Sequence, residues 1–237
     1  MPERAQIQDM FTRIAPRYDL ANRLLSGGTD RGWRRKTVRL AGCREGERVL
    51  DTCSGTGDLA LDLARTGAEV VGSDFTLAML QLTQPKMQAA EAQNLVSRVP
   101  TFVAGDTMEL PFLDDSFDLV TAAFGIRNVK DPLHALQEMR RVTRPGGRIV
   151  ILEACKPRVP VLGSLYLFYF RRILPVLGRW ISGDKKGAYS YLPESVMAFP
   201  EREEFLGLMR EAGLENPRQT ILSLGAVAIY RAEVPAR

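Results

Sequence analysis

A regular alternation of short β-rich segments with helix-like stretches begins at Arg48, and it constrains the fold more than any other feature of the sequence. Such alternation is the pattern of βαβ units, which build an open parallel sheet covered by helices. Around residue 225, two further β-rich segments are separated by a single glycine, and we expect an antiparallel hairpin at the edge of that sheet. The predicted strands are residues 48–51, 69–74, 101–104, 117–122, 148–152, 220–224 and 226–230.

The remaining segments predict one α/β domain, residues 1–237, with helical additions. Its 237 residues, 45% of them hydrophobic, are enough for one sizeable core. The N-terminal stretch is rich in helix formers, and the stretch after the fifth strand is too long for an ordinary crossover. The predicted parts are N-terminal helices (1–45), a ligand-binding core (46–155), a helical insertion or cap (156–200) and a terminal helix with the hairpin (201–237).

The first predicted strand runs into a helix through a turn that contains two glycines. Gly55 and Gly57 allow the backbone to turn tightly and to approach a ligand that a Cβ atom would exclude. Asp74 ends the second strand, where an acidic residue can accept hydrogen bonds from ribose hydroxyls. With Ala60, the turn also satisfies the G-x-G-x-x-A pattern of dinucleotide-binding proteins, so the glycines alone do not identify the ligand.

The charges near the turn distinguish between these ligands. Asp51 and Asp58 flank the turn and would repel the pyrophosphate of a dinucleotide at the helix N-terminus. S-adenosylmethionine has no phosphate; it carries a sulfonium and an ammonium group, which carboxylates favour. Asp106 follows the third strand and can reach an adenine, because ligands of open α/β sheets bind outside the carboxyl ends of the strands. We therefore predict S-adenosylmethionine as the cofactor.

Composition excludes several other classes of protein. A net charge of +4 without a dense Lys/Arg tract does not predict nucleic-acid binding. Cys43, Cys53 and Cys155 show no C-x-x-C spacing and there is one His, so we expect neither a disulfide framework nor a metal site. The sequence shows no secretory signal and no apolar run long enough to span a membrane. A cytoplasmic enzyme is expected, and its mild positive charge fits contact with an anionic inner membrane face.

Two motifs beyond the turn resemble known methyltransferases. Leu-Pro-Phe at 110–112 with Asp-Asp-Ser-Phe-Asp at 114–118 resembles the segment that precedes the fourth strand of class I S-adenosylmethionine-dependent methyltransferases. Residues 136–147, which end in Arg-Pro-Gly-Gly, resemble the helix and turn before the fifth strand. The implied fold is the Rossmann-like class I fold, a mostly parallel sheet with a terminal antiparallel hairpin.

Three other segments indicate a narrower family. They are Phe-Thr-Arg-Ile-Ala at 11–15 with the following Tyr18 and Asp19, Phe-Gly-Ile-Arg-Asn-Val at 124–129, and Tyr-Leu-Pro-Glu-Ser at 191–195. Together they resemble the C-methyltransferases of menaquinone and ubiquinone biosynthesis, the UbiE family, over nearly the whole chain. The resemblance implies methylation of a ring carbon of a polyprenylated quinol, with demethylmenaquinol favoured over a benzoquinol. Another lipophilic phenol or a sterol-like acceptor stays open, as does a protein that binds the cofactor without turnover.

The resemblance also assigns cofactor contacts. Thr56 and the amides of the turn are expected to face the methionine part, Asp74 the ribose, and Asp106 with Thr107 the adenine. The predicted cofactor-binding set is Asp51, Gly55, Thr56, Gly57, Asp74, Phe75, Asp106 and Thr107.

Arg127 is the main candidate for a catalytic role. It directly follows the fourth strand, where its guanidinium could hold an oxyanion or orient a water, or could instead form a structural salt bridge. Asn128 is either a polar anchor for the acceptor or part of the turn. Tyr18 and Asp19 either close over the site or belong to a helix that simply packs on the domain.

Residues 159–180 form a segment of unusual apolar and aromatic density. Arg171, Arg172 and Pro175 argue against a membrane-spanning helix. We interpret the segment either as a cap helix on the core or as a lid that accepts a prenyl tail, through residues such as Leu167 and Phe170, and touches the bilayer interface. A homo-oligomer stays open as well.

The sequence departs from the family pattern at two places. Thr-Cys-Ser at 52–54 replaces the small apolar and glycine residues that many relatives have before Gly55. The final hairpin lacks paired glycines, and Tyr230 stands where relatives often have His. The second departure concerns the predicted acceptor side of the sheet.

Overall fold

The computed structural model describes residues 4–159, 172 and 188–236, and within them one sheet of seven strands forms the centre of the fold. The strands are β1 (Arg48–Thr52), β2 (Glu69–Asp74), β3 (Thr101–Ala104), β4 (Phe117–Ala123), β5 (Thr143–Ala154), β6 (Glu215–Leu222) and β7 (Val227–Glu233). Their order in the sheet is β3-β2-β1-β4-β5-β7-β6. The first five strands pair in parallel, and β7 is antiparallel to both of its neighbours, β5 and β6.

The predicted parallel sheet and terminal hairpin are confirmed, and the differences lie at the ends of strands. β5 begins at Thr143 rather than at Arg148, because the turn that precedes it joins the sheet: the amide of Gly146 donates to the carbonyl of Val234. β6 and β7 are longer than predicted. The turn between them is a short 3₁₀ segment, Ser223–Gly225.

Apolar side chains on both faces explain why β1, β4 and β5 are central. Val49, Leu50, Leu119 and Val120 are fully buried, as expected for parallel strands that are covered by helices on both sides. The register places Asp51 beside Gly72 of β2 and Thr121 of β4. The carboxyl ends of the parallel strands therefore meet at one edge, and the order of the sheet reverses between β1 and β4, where such folds bind ligands.

The described helices include the predicted N-terminal group. Buried side chains of this group, Ile7, Met10 and Ala21, pack with Met79 and Val196, so the N-terminal helices lie over the carboxyl edge of the sheet. The helices are α1 (Arg4–Ile14), α2 (Tyr18–Leu25), α3 (Asp30–Ala41), α4 (Asp58–Ala64), α5 (Leu77–Gln81), α6 (Thr83–Ala92), α7 (Pro132–Val142), α8 (Ala188–Ala198) and α9 (Glu203–Glu211).

Tyr230, one of the departures from the family pattern, is a packing residue here. Its side chain is fully buried, and its hydroxyl accepts a hydrogen bond from the amide of Arg202 at 2.8 Å and lies 3.3 Å from Cys155 Sγ. Its ring packs edge-to-face on Phe205. Tyr230 therefore ties β7 to the start of α9 and to the segment after β5.

The predicted lid, residues 159–180 with Leu167 and Phe170, lies outside the described residues except for Val159 and Arg172. Within the described ranges, we find no helix with the length and apolar character needed to cross a bilayer.

Candidate functional site

The glycine turn and Asp74 form one hydrogen-bonded unit at the end of β1. The amide of Gly55 donates to Asp74 Oδ2 at 2.9 Å, and the amide of Thr76 donates to Asp74 Oδ1 at 2.8 Å. Gly55 and Gly57 both have positive φ angles, +55° and +79°, which favour glycine. A Cβ on Gly57 would lie 2.9 Å from Phe102 Cζ, whereas one on Gly55 would enter open space. Gly57 is therefore favoured by its backbone angle and by the closeness of Phe102, and Gly55 leaves room for a ligand.

Asp106 and Thr107 follow β3 at the same edge. The amide of Met108 donates to Asp106 Oδ1 at 2.9 Å, and Arg4 of α1 forms an ion pair with Asp106 Oδ2 at 3.1 Å. Thr107 is buried, and its hydroxyl lies 2.6 Å from the hydroxyl of Thr52. The N-terminal helix α1 thus reaches across to the loop after the third strand.

Cys53, the other departure from the family pattern, joins two motifs that are distant in sequence. Its backbone is in the left-handed region with φ of 51°, and its Sγ lies 3.1 Å from Thr107 Oγ1. A Cβ on Gly125 would come within 2.2 Å of Cys53 Cβ. The glycine in the Phe-Gly-Ile-Arg-Asn-Val segment is therefore needed so that this segment can pack against the glycine turn.

Asp51 lies beneath the turn and is 1% exposed. Its carboxylate accepts hydrogen bonds from the hydroxyl of Thr121 at 2.9 Å and from that of Ser54 at 3.0 Å. Burial raises the pKa of Asp51 to about 7, against the effect of these hydrogen bonds, and the negative charge of Asp74 adds to the rise. Asp51 therefore holds the turn from below and titrates near neutral pH.

Asp19 of α2 contacts the opposite side of the turn. Its Oδ1 accepts a hydrogen bond from the hydroxyl of Thr56 at 2.6 Å, and its Oδ2 pairs with Lys86 Nζ of α6 at 2.6 Å. Lys86 also donates to Thr56 Oγ1 at 2.8 Å and pairs with Asp58 at 2.7 Å. A compact network of charged and hydroxyl groups thus connects α2, α6 and the glycine turn.

Arg127 lies in a 3₁₀ turn, Ile126–Asn128, directly after β4, and is 7% exposed. Its Nη1 pairs with Glu153 Oε1 at 2.7 Å and donates to the carbonyl of Phe124, and its backbone amide donates to Glu153 Oε2 at 3.2 Å. Glu153, on β5, is fully buried. Burial acts to lower the pKa of Arg127, but the Glu153 carboxylate together with Tyr18 and Tyr191 raises it above its ordinary value, so Arg127 stays charged.

Polar groups from two helices and the 3₁₀ turn surround this ion pair. Burial raises the pKa of Tyr18 and of Tyr191, and the Arg127 charge opposes the rise in both. Helix α8, which carries Tyr191, contacts the 3₁₀ turn. Asn128 Oδ1 is buried and has no hydrogen-bond partner among the described residues. The phenols and the amide therefore lie close to a permanent positive charge.

Two adjoining cavities at this edge bring the predicted residues together. The first, the Asp74 cavity, is lined by Gly55, Asp74, Phe75, Asp106, Thr107 and Asn128 among others. The second, the Arg127 cavity, has a volume of about 590 Å³ and is lined by Asp51, Gly55, Thr56, Asp19 and Arg127 among others. Tyr18 and Gly55 line both cavities. The two cavities therefore adjoin at Gly55 and Tyr18.

The chemistry of these groups fits S-adenosylmethionine. Asp74 and Asp106 offer carboxylate acceptors for hydroxyl and amino groups, and Gly55 leaves open space where a side chain would intrude. The carboxylates of Asp51, Asp58 and Asp74 around the turn favour a cationic ligand over a phosphate.

Comparison with known proteins identifies the family. Residues 2–233 match the profile of the ubiE/COQ5 methyltransferase family. This chain belongs to that family. It is 49% identical over 228 residues to the demethylmenaquinone methyltransferase of Thermus thermophilus, which covers 95% of this chain and 100% of the relative. It is 46% identical over 231 residues to the ubiquinone/menaquinone biosynthesis C-methyltransferase UbiE of Geobacter sulfurreducens, which covers 96% of this chain and 88% of the relative.

Solved structures confirm the class I methyltransferase fold. A methyltransferase from Thermotoga maritima superposes with a TM-score of 0.66 at 19% identity, over 95% of this chain and 98% of the other. A phosphoethanolamine N-methyltransferase from Haemonchus contortus, solved with S-adenosylmethionine bound, superposes with a TM-score of 0.56 at 16% identity, over 81% of this chain and 49% of the other. Membership in this methyltransferase family supports the prediction that S-adenosylmethionine is the cofactor.

Most residues predicted from the sequence line one of the two cavities, and Gly57 does not. Sequence analysis named neither Glu153 nor Lys86 as a site residue, and it included Tyr191 only as part of the motif at 191–195. Glu153 had a signal, an acidic residue at the carboxyl end of an apolar strand, as in Asp51 and Asp74. Lys86 stands in the middle of α6, and nothing in its local sequence marks it. Among the described residues, no three His, Cys, Asp or Glu side chains are placed to hold a metal ion.

Proposed function

We propose that this enzyme transfers a methyl group from S-adenosylmethionine to a ring carbon of a polyprenylated quinol, with demethylmenaquinol as the acceptor and menaquinol as the product. The observation that carries the proposal is the Arg127 cavity, which joins the glycine turn to a buried guanidinium. The similarity to relatives named demethylmenaquinone methyltransferase, from Thermus thermophilus and Deinococcus radiodurans, supports the choice of a naphthoquinol. The name of the Geobacter relative includes ubiquinone, so a benzoquinol is the second candidate acceptor.

In this proposal the cofactor lies along both cavities. Asp74 accepts hydrogen bonds from the ribose, Phe75, Asp106 and Thr107 surround the adenine, and the turn of Gly55, Thr56 and Gly57 faces the methionine part. Asp51 supports the turn through its contacts with Ser54 and Thr121. The existing bonds of Asp74 to two amides leave further lone pairs on its oxygens, so that it can accept from ribose without losing them.

Arg127 acts on the acceptor in this proposal. When bound, the cofactor supplies a methyl group on a positively charged sulfur, and no protein nucleophile is required. An aromatic carbon becomes a good nucleophile when a ring hydroxyl gives its proton to water, so the protein must stabilise a phenolate. After the methyl group has been transferred, the same ring carbon releases its own proton to solvent and the ring is aromatic again. The charge of Arg127, fixed by Glu153 in a buried setting, is suited to that task. Tyr18 and Asn128 orient the ring hydroxyls, and the N-terminal helices exclude water.

Contact with a membrane is part of the same proposal. A polyprenyl tail resides in the bilayer, so the enzyme has to meet its acceptor at the membrane surface. Leu20 and Leu24 of α2 are each 54% exposed, and the helix that carries them also lines the Arg127 cavity. In this proposal the enzyme works at the inner face of the membrane.

Purified enzyme with labelled S-adenosylmethionine and a panel of reduced quinones tests the proposal. Demethylmenaquinol should be methylated on the ring carbon, as located by mass spectrometry, and faster than demethylated benzoquinols. A tail-less naphthoquinol should show a higher Michaelis constant than a prenylated one in the same detergent. Methylation on oxygen, or turnover only with a non-quinol phenol, would contradict the proposal.

A further inference from the structure

Asp19 is a carboxylate on an N-terminal helix, outside the sheet, that reaches the glycine turn. It lies on α2, yet it lines the Arg127 cavity together with Gly55 and Thr56, and its side chain is 38% exposed. Both of its oxygens are held, one by the hydroxyl of Thr56 and the other by the ammonium of Lys86, each at 2.6 Å. The carboxylate is therefore fixed in position and still accessible from the cavity.

The negative charge of Asp19 is less neutralised than that of the neighbouring Asp58. Asp58 pairs with two cations, Lys86 at 2.7 Å and Arg34 at 3.2 Å. Asp19 shares Lys86 with Asp58, and its second oxygen bonds a neutral hydroxyl. The ammonium of Lys86 thus pairs with both carboxylates. The remaining negative charge favours a cationic group that enters the cavity beside Thr56.

The position matches one end of the cofactor. If Asp74 holds the ribose, the chain of atoms beyond the ribose passes Gly55, which lines both cavities, and enters the Arg127 cavity. That part of S-adenosylmethionine ends in an amino acid, which carries an ammonium and a carboxylate. The wall of the Arg127 cavity offers both signs of charge, with Asp19 beside the turn and Arg23 and Arg31 farther along α2 and α3.

We propose that Asp19 accepts a hydrogen bond from the ammonium of the cofactor's amino-acid end, and that Lys86 and Thr56 hold Asp19 in place for this contact. The proposal rests on the orientation of the adenosine given under Proposed function. It gives α2 a direct part in binding the cofactor, in addition to its packing. The same helix also carries Tyr18, which lines both cavities. One short helix would therefore contact both the amino-acid end of the cofactor and the acceptor.

Calorimetry with three ligands tests this assignment. S-adenosylmethionine and S-adenosylhomocysteine carry the amino-acid end, whereas 5′-methylthioadenosine lacks it. Asp19→Asn should weaken binding of the first two by at least about tenfold, the scale of a hydrogen bond to a charged group, and leave 5′-methylthioadenosine within about twofold. Asp9→Asn is the matched control, because Asp9 is a 63% exposed carboxylate of α1 whose partner is Arg13, and it should change none of the three.

Two outcomes would overturn the proposal. Unchanged affinity of Asp19→Asn for S-adenosylmethionine would show that Asp19 does not contact the ammonium. Equal losses for all three ligands would mean that Asp19 only docks α2, because loss of the docked helix would also disturb the adenosine end. The proposal rests on an orientation in which Asp74 holds the ribose, and this is checked separately with Asp74→Asn. That variant should bind 5′-methylthioadenosine more weakly as well.

Discussion

The carboxylates of the Asp74 cavity and the guanidinium of the Arg127 cavity are held in place by different kinds of contact. Asp74 and Asp106 accept hydrogen bonds from backbone amides of loops at the same edge of the sheet. Arg127 is instead held by the side chain of Glu153, which comes from another strand and is fully buried. The first arrangement survives many side-chain changes, because amides are present whatever the residue. The second depends on one carboxylate for its charge, with the carbonyl of Phe124 as a further contact.

The largest effect should follow from removal of that carboxylate. Glu153→Ala leaves the charge of Arg127 buried without its partner, and the free energy of unfolding should fall by about 3–5 kcal/mol. Urea denaturation measures it. Glu203→Ala is the control, because Glu203 pairs with Arg210 on the surface and should cost about 1 kcal/mol or less. If the two variants lose the same stability, the buried pair is not the support that its geometry indicates.

A charge-conserving change of Arg127 should separate chemistry from stability. Arg127→Lys keeps a cation beside Glu153 but loses the planar fork, and the rate of methyl transfer should fall by about 10²–10³-fold while affinity for S-adenosylmethionine stays within about twofold. Single-turnover assays and calorimetry provide the two readings. Arg210→Lys on the surface serves as the control. A rate that falls only as far as the folded fraction falls would assign Arg127 a structural role.

In the Asp74 cavity, Asp74→Asn should weaken binding of the cofactor while the protein stays folded. The ribose would lose a charged acceptor, worth about 1.5–3 kcal/mol, or roughly 10- to 150-fold in affinity. Calorimetry of the variant measures this loss, with Asp114→Asn, a 73% exposed carboxylate paired with Arg141, as the control. Unchanged affinity would remove Asp74 from the site and, with it, the contrast between the two cavities.

The most gradual effect concerns pH and Asp51. Its folded-state pKa is raised to about 7 by burial, so the folded protein binds a proton that the unfolded chain releases near pH 4. The contribution of Asp51 to stability is therefore fully present below about pH 4 and is lost as the pH rises through about 7. Asp51→Asn should flatten this dependence, which denaturation at pH 5, 6, 7 and 8 (roughly spanning that range) would measure. If the stability of the unchanged protein and that of Asp51→Asn vary with pH in the same way, Asp51 is not the group that titrates.

The same contrast explains what the sequence could predict. The glycine turn, Asp74 and Asp106 lie at the ends of strands, and short-range patterns locate strand ends, so the fold and most cavity residues were predictable. Glu153 and Lys86 act through contacts between elements far apart in the chain, and one sequence does not reveal which helix faces which loop. The start of β5 was missed because the bonds that join Gly146 and Gly147 to Val234 form only when β7 has entered the sheet.

The position of β7 also affects how this protein is made. β7 separates β5 from β6, yet its residues follow those of every other strand in the sheet. On the ribosome, β5 with its buried Ile149, Val150, Ile151 and Leu152 emerges before β7 and keeps one unpaired edge until residues 227–233 appear. An open apolar edge pairs readily with strands of other chains. Synthesis that stalls between these two strands therefore leaves a nascent chain that is prone to aggregate.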